Sequence, residues 1–183
     1  DLNDVVEGRC TIEQVLVKDK RIAGLSLLPS CKSLSFENLD TKIMNSLIER
    51  LSKDFDFIIV DSPAGVEKGF EYSASLASEA IVVVNLDVSS LRDADRVVGL
   101  LMKKGINTIN MVVNKVNLDD IESSRSLTID DAKEILSLPL LGIVYDSHDM
   151  IEANNRGVPI FLDQQHLLHT CFLNIAKRLL CEI

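Results

Sequence analysis

The chain has 183 residues, 46% of them hydrophobic, enough for one domain over residues 1–183 with a substantial core. Its 19 Lys and Arg stand against 28 Asp and Glu, a net charge of -9, which argues against affinity won by neutralising nucleic-acid phosphates. The most apolar long window, residues 73–91, is interrupted by Glu79 and Asp87, and a bilayer span needs about 20 nearly charge-free residues, so no transmembrane helix is expected.

From the start of the chain, Thr11-x-x-Gln14 is a capping-box pattern that predicts a short helix. Continuous apolar runs follow at residues 25–28, 55–60, 80–85, 110–114 and 140–145. Such runs mark strands covered on both faces of a parallel sheet, so five buried strands are expected. Helical patterns lie between them. Ile43, Leu47, Ile48 and Leu51 share one face after a cap at Asp40, and Val97, Val98, Leu101 and Met102 share another before a stop at Gly105. Further helices are predicted from near Thr128, Ser147 and Asp163. Strands alternating with helices imply a doubly wound, mostly parallel α/β sheet with helices on both faces. Cys10, Cys31, Cys171 and Cys181 form no C-x-x-C pair, and no leader pattern is visible, so reduced thiols in a cytosol are the simplest reading.

In such folds ligands bind beyond the carboxyl ends of the strands, and three of those ends are polar. The first is Asp61-Ser62-Pro63-Ala64-Gly65. There the Asp61 carboxylate either organises Mg²⁺ and an attacking water or makes an ordinary Asp-Ser-Pro turn. The second runs from Asn85 to Arg96, with Ser90 as the expected helix cap. Asp93 in the first turn complements the helix dipole, and Asp95 and Arg96 form a solvated face. At the third, the Asn114 side chain offers the donor and acceptor that a purine edge requires, or serves as a turn residue.

In this order, the three ends resemble the MinD/ParA family of deviant P-loop ATPases, and within it the septum site-determining MinD branch. The likeness runs through Asp61-Ser62-Pro63-Ala64-Gly65-Val66-Glu67-x-Gly69, Ser78-Glu79-Ala80-Ile81-Val82 and Val88-Ser89-Ser90-Leu91-Arg92-Asp93-Ala94-Asp95-Arg96. Gly142-Ile143-Val144 and Asn154-Asn155-Arg156-Gly157-x-Pro159-Ile160 add to it. The resemblance implies an ATPase that forms a homodimer around ATP, attaches to the inner face of the membrane and is released by hydrolysis. It implies a division inhibitor and a topological regulator, MinC-like and MinE-like, as partners, and the acidic charge balance argues against a nucleic-acid partner. By matching motifs, Asp61 would organise Mg²⁺ and the catalytic water, and Asn114, Asp87 and Pro63 would contact the nucleotide. Asp93 and Asp95 would face the partners.

The sequence departs from the family pattern in several places. No glycine is followed by Lys and then Ser or Thr, so the phosphate loop between the family's first strand and first helix is absent. An N-terminally truncated member is therefore expected, lacking roughly 30 or more residues of a βαβ unit. Loss of a central strand would leave residues 57–60 and 111–113 without backbone partners, and the chain made alone would fold poorly or aggregate. The last helix, with Leu168, Phe172, Ile175 and Leu179, reads as docked on the core rather than as the family's membrane anchor. Leu86 and Tyr145 stand where relatives tend to have proline, the second near the adenine pocket. His166 and His169 lack a third metal ligand and read as surface residues. A flagellar-number or DNA-partitioning ATPase, or a non-catalytic interaction module, are the alternatives.

Overall fold

The computed structural model describes residues 1–29 and 41–183, so the proposed cap at Asp40 and Cys31 lie outside the described residues. Two units emerge, Asp1–Ala77 and Ser78–Ile183. The first holds α1 (Leu2–Val6), α2 (Ile12–Val15), β1 (Val17–Lys18), β2 (Ser26–Leu27), α3 (Thr41–Leu51) and α4 (Lys68–Ser75). At α2 the capping pattern forms its returning arm, with Thr11 N–H donating to Gln14 Oε1 at 2.9 Å, and Ile12 is buried behind it. In α3 Leu51 is buried and Leu47 and Ile48 are half-buried, as the predicted face requires, but Met44 is buried in place of Ile43, which is exposed. Arg50 of α3 is ion-paired with Glu13 of α2.

The run at 25–28 is not a covered parallel strand. It supplies β2, which pairs antiparallel with β1 through Val17↔Leu27 and Lys18↔Ser26, with Leu27 exposed. Asp19 organises the connecting loop, its carboxylate accepting from Arg21 N–H at 2.7 Å, Ile22 N–H at 3.0 Å and Arg21 Nη2 at 3.1 Å. The Arg21 side chain, then its backbone N–H, hold the Asp19 carboxyl down to about 2 from 3.8. A depressed folded value confers stability that is complete above the unfolded value and lost as pH falls through the folded one. The loop should therefore loosen between pH 3.8 and about 2. An NMR titration should place the Asp19 midpoint at the lower figure in the wild type, and Asp19→Asn should remove the acid-dependent step. A midpoint at the ordinary carboxylate value would refute the assignment.

Residues 55–60 also form no strand. Phe57 is 61% and Ile59 90% exposed, and no described segment pairs with them. Apolar content makes a run suitable for burial, but a strand exists only where another backbone completes its ladder.

The second unit contains β3 (Glu79–Val84), α5 (Val88–Lys103), β4 (Thr108–Val116), α6 (Leu118–Glu122), α7 (Ile129–Leu136), β5 (Leu140–Tyr145), α8 (His148–Arg156) and α9 (Leu167–Leu179). Here the α/β expectation holds. The strands are parallel in the order β3-β4-β5, each connected through helices. β4 is central, so Met111, Val112 and Val113 have partners on both sides, contrary to the expectation that a missing strand would strip them. On β3, Val82 and Val84 are buried while Ile81 and Val83 are 44% and 60% exposed, so that strand is covered on one face only.

Local chemistry sets the helix boundaries. Leu91, Ala94, Val98 and Leu101 form the buried stripe of α5, whereas Met102, predicted to share it, is exposed. At α7, Thr128 N–H and Oγ1–H both donate to Asp131 Oδ2 at 2.7 Å and Asp131 N–H returns to Thr128 Oγ1 at 3.1 Å. These bonds, the Thr128 backbone first, lower the Asp131 pKa. Ser147 caps α8, its Oγ accepting from Asp149 N–H at 3.1 Å. The last helix begins later than predicted. Asp163 holds only a turn, accepting from Gln165 N–H at 3.1 Å, and the cap is His166, whose Nδ1 accepts from Leu168 N–H at 3.1 Å.

α9 docks on β5. Leu168 and Cys171 join Val112, Leu141, Val144 and Ile160 in the core, with Phe172, Ile175 and Leu179 packed against them. Gly142 allows the close approach, since a Cβ there would lie 2.6 Å from Ile175 Cγ1, and Arg178 Nη1 donates to the Leu141 carbonyl at 2.8 Å. No described helix is long and apolar enough to cross a membrane.

Candidate functional site

The first unit supplies the Asp61 end. Asp61 to Gly65 are exposed, and the Asp61 carboxylate has no hydrogen-bond partner among the described residues. Gly65, at φ 89°, turns the chain toward α4, a conformation that side chains with a Cβ resist. Pro63, Ala64 and Val66 to Glu71 border an open hollow of about 610 Å³. A free, exposed carboxylate is a hard oxygen donor of the kind that suits Mg²⁺, directly or through water, and the Asp61 carboxylate is open to such an ion, with Pro63 two residues on in the chain.

The second unit brings the other strand ends to one edge of its sheet. Val84 of β3 is in register with Val113 of β4, so Asn85 and Asn114 leave the ladder side by side. Leu86 is buried, and its carbonyl accepts from Leu127 N–H at 3.1 Å, which ties the β3–α5 loop to the segment before α7. Asp87, not Ser90, caps α5: its Oδ1 accepts from Ser90 N–H at 2.8 Å, and Ser90 Oγ accepts from Asn85 N–H at 2.9 Å. The helix thus starts at Val88, which moves Asp93 out of the first turn and beyond the helix dipole's useful reach. Asp93 and Asp95 are both exposed, but at about 100° per residue they point to different sides of α5.

Asn114 is half-buried, and its carboxamide makes no hydrogen bond to a described residue. Next to it the strand is irregular. Val113 pairs with Ile143 and Val116 with Tyr145, so β4 carries one extra residue there, and Lys115 has φ 52°. Asp146 N–H donates to the Val116 carbonyl at 3.0 Å and closes the edge near half-buried Tyr145. Asp87, Asn114 and Tyr145 therefore share the carboxyl edge of this sheet, while Asp61 and Pro63 belong to the first unit. The sequence reading missed Lys115 and the Oγ contact of Ser90. The alternation Ile109, Met111, Val113 carried the signal for the first, because it places a lysine next in line for burial.

The two histidines are structural rather than merely superficial. His166 Nε2 lies 3.0 Å from Asp149 Oδ2, and His169 stacks on Phe161 at 4.5 Å with Nδ1 2.6 Å from the Phe161 carbonyl. No group of three or more His, Cys, Asp or Glu suited to a metal occurs among the described residues.

No family model matches the chain. Individual relatives do. A septum site-determining protein MinD of Bacillus subtilis is 39% identical over 184 residues, spanning 100% of this chain and 69% of the relative. A putative septum site-determining protein MinD of Emiliania huxleyi is 38% identical over 98% of the chain, which spans 66% of that relative's length. Among solved structures, MinD in the MinC:MinD cell division protein complex of Aquifex aeolicus superposes with TM-score 0.92 at 38% identity, covering 100% of this chain and 74% of that one. The Pyrococcus horikoshii MinD complexed with Mg-ADP shares the fold, at TM-score 0.79 and 23% identity over 97% of this chain and 72% of its own. With nearly 40% identity sustained from end to end and the same fold, this chain belongs to the septum site-determining MinD family.

Proposed function

We propose that residues 1–183 are part of a single ATPase domain that selects the site of cell division. The observation that carries this reading is the end-to-end match to MinD proteins, which includes the segment from Asp61 and the segment from Asp87. The chain spans 66% of the Emiliania huxleyi relative, so the activity is proposed for the whole protein. In it, ATP and Mg²⁺ are the cofactors, which the Mg-ADP complex of the Pyrococcus horikoshii protein supports. Bound Mg²⁺ would neutralise phosphate charge. Asp61 would hold it through water and orient the attacking water, Asn114 would bond the adenine edge, and Pro63 and Asp87 would each contact the nucleotide. With ATP the protein would form a homodimer at the inner face of the membrane, with hydrolysis stimulated by a MinE-like regulator.

A MinC-like division inhibitor is the proposed partner of α5, in keeping with the MinC:MinD complex of Aquifex aeolicus. Asp93 lies farther than Asp95 from the buried stripe of Leu91, Ala94, Val98 and Leu101. Asp93→Lys should therefore weaken ATP-dependent binding of the inhibitor about tenfold or more, about 1.4 kcal/mol. Asp95→Lys should weaken it less. Titration calorimetry with the isolated inhibitor measures both. Undiminished binding by the two variants would remove α5 from the interface.

A further inference from the structure

The bulge in β4 follows from its own sequence. Ile109, Met111 and Val113 occupy the same face of the strand, and the last two have no measurable exposure. Strict alternation would send Lys115 onto that dry face and turn Val116 away from it. One extra residue between Val113 and Val116 exchanges them: Lys115 is exposed and Val116 is 2% exposed. The exchange requires Lys115 to adopt φ 52°, the left-handed region that a lysine enters at a cost. It also interrupts the β4–β5 ladder beside Asn114, whose carboxamide is left without a protein partner among the described residues.

We propose that Lys115 is a positioning residue for the base contact: its left-handed bulge interrupts the β4–β5 ladder and aims the Asn114 carboxamide at the nucleobase. This rests on the reading of Asn114 as the adenine-binding group. The lysine acts through its aversion to burial and through its backbone, not through a contact of its ammonium group. A residue that tolerates left-handed φ should then replace it, and an apolar β-branched residue should not, because valine gains from following Met111 and Val113 inward and straightening the strand.

The test uses the longest natural chain that contains these 183 residues, with KM and kcat measured for ATP and for GTP. Asn114→Ala, Lys115→Val, Lys115→Thr and Lys115→Asn are compared, each checked by thermal melting. Asn114→Ala should erase the preference for ATP. Lys115→Val should raise KM for ATP about tenfold, more than it lowers kcat, and shrink the ATP/GTP preference in parallel. Lys115→Asn should keep both near wild type although the charge is gone. If Lys115→Val does not fold, Lys115→Thr carries the same expectation with a polar side chain. A Lys115→Val or Lys115→Thr protein that folds and keeps the full preference, while Asn114→Ala loses it, overturns the positioning role alone. An Asn114→Ala protein with the wild-type preference overturns the adenine reading and the inference together. Loss of preference in Lys115→Asn equal to that in Lys115→Val would mean that the ammonium acts directly, which also overturns the proposal.

Discussion

Asp61→Ala is expected to abolish ATP turnover while leaving the fold intact. The carboxylate is exposed and accepts no hydrogen bond from a described residue, so truncating it removes no internal contact and should change stability by no more than about 0.5 kcal/mol. Its proposed task is confined to the reaction, where removal of a group that orients water lowers kcat about 100- to 10,000-fold. Asp61→Asn keeps the shape and loses the charge, so it should fall with alanine if the charge is what acts. Steady-state turnover of the longest natural chain, set beside its melting curve, decides the matter. Wild-type kcat in a well-folded Asp61→Ala protein would leave Asp61 as a turn residue.

Produced by itself, the 183-residue chain is expected to self-associate rather than persist as a monomer. β3 pairs with β4 alone among the described strands, so no described strand pairs with the N–H and C=O groups of its other edge. Beside that edge Ile81 and Val83 are 44% and 60% exposed. An apolar strand with a free edge is a template for another copy. In the first unit, Phe57 and Ile59 add exposed apolar surface on a segment without a ladder. Lysine on an edge strand blocks such pairing because its ammonium would have to be buried. The double variant Ile81→Lys, Val83→Lys should therefore raise the concentration at which light scattering begins about tenfold, a shift of about 1.4 kcal/mol. A wild-type chain that sediments as a monomer and melts in one sharp transition would overturn this expectation.

Where local chemistry decides an element, the sequence was readable. Thr128 and Ser147 announce α7 and α8 because a side-chain oxygen one residue before a helix has one evident use, and both make the bonds that use requires. The apolar runs of β3, β4 and β5 were equally plain as strands of a parallel sheet joined through helices, although β3 is covered on one face only. Residues 55–60 have the same apolar character and form no strand, because a ladder depends on a distant backbone that no local pattern reports. The start of α9 was misplaced for a different reason. Asp163 is a better cap by type, but His166 closes its own Nδ1 bond to Leu168 N–H and is steadied by Asp149 from α8, a contact invisible along the chain.

The site divides in the same way. Asp61, Asp87 and Asn114 could be picked out as polar residues following apolar runs, and Asp87 and Asn114 lie at one sheet edge. That Asp87 would spend its carboxylate on the Ser90 N–H, and that β4 would slip by one at Lys115, depended on where each backbone finally sat.

The close approach at Gly142 makes α9 and β5 a single lever. With Ile175 pressed against a glycine and Arg178 tied to the Leu141 carbonyl, the helix has no room to slide along the strand. Displacement of the β5 tip at Tyr145 would accordingly be carried to the far end of α9. Cys181, an exposed free thiol two residues past that helix, is thus a natural attachment point for a spectroscopic ruler that reports displacement of α9 without touching the strand ends.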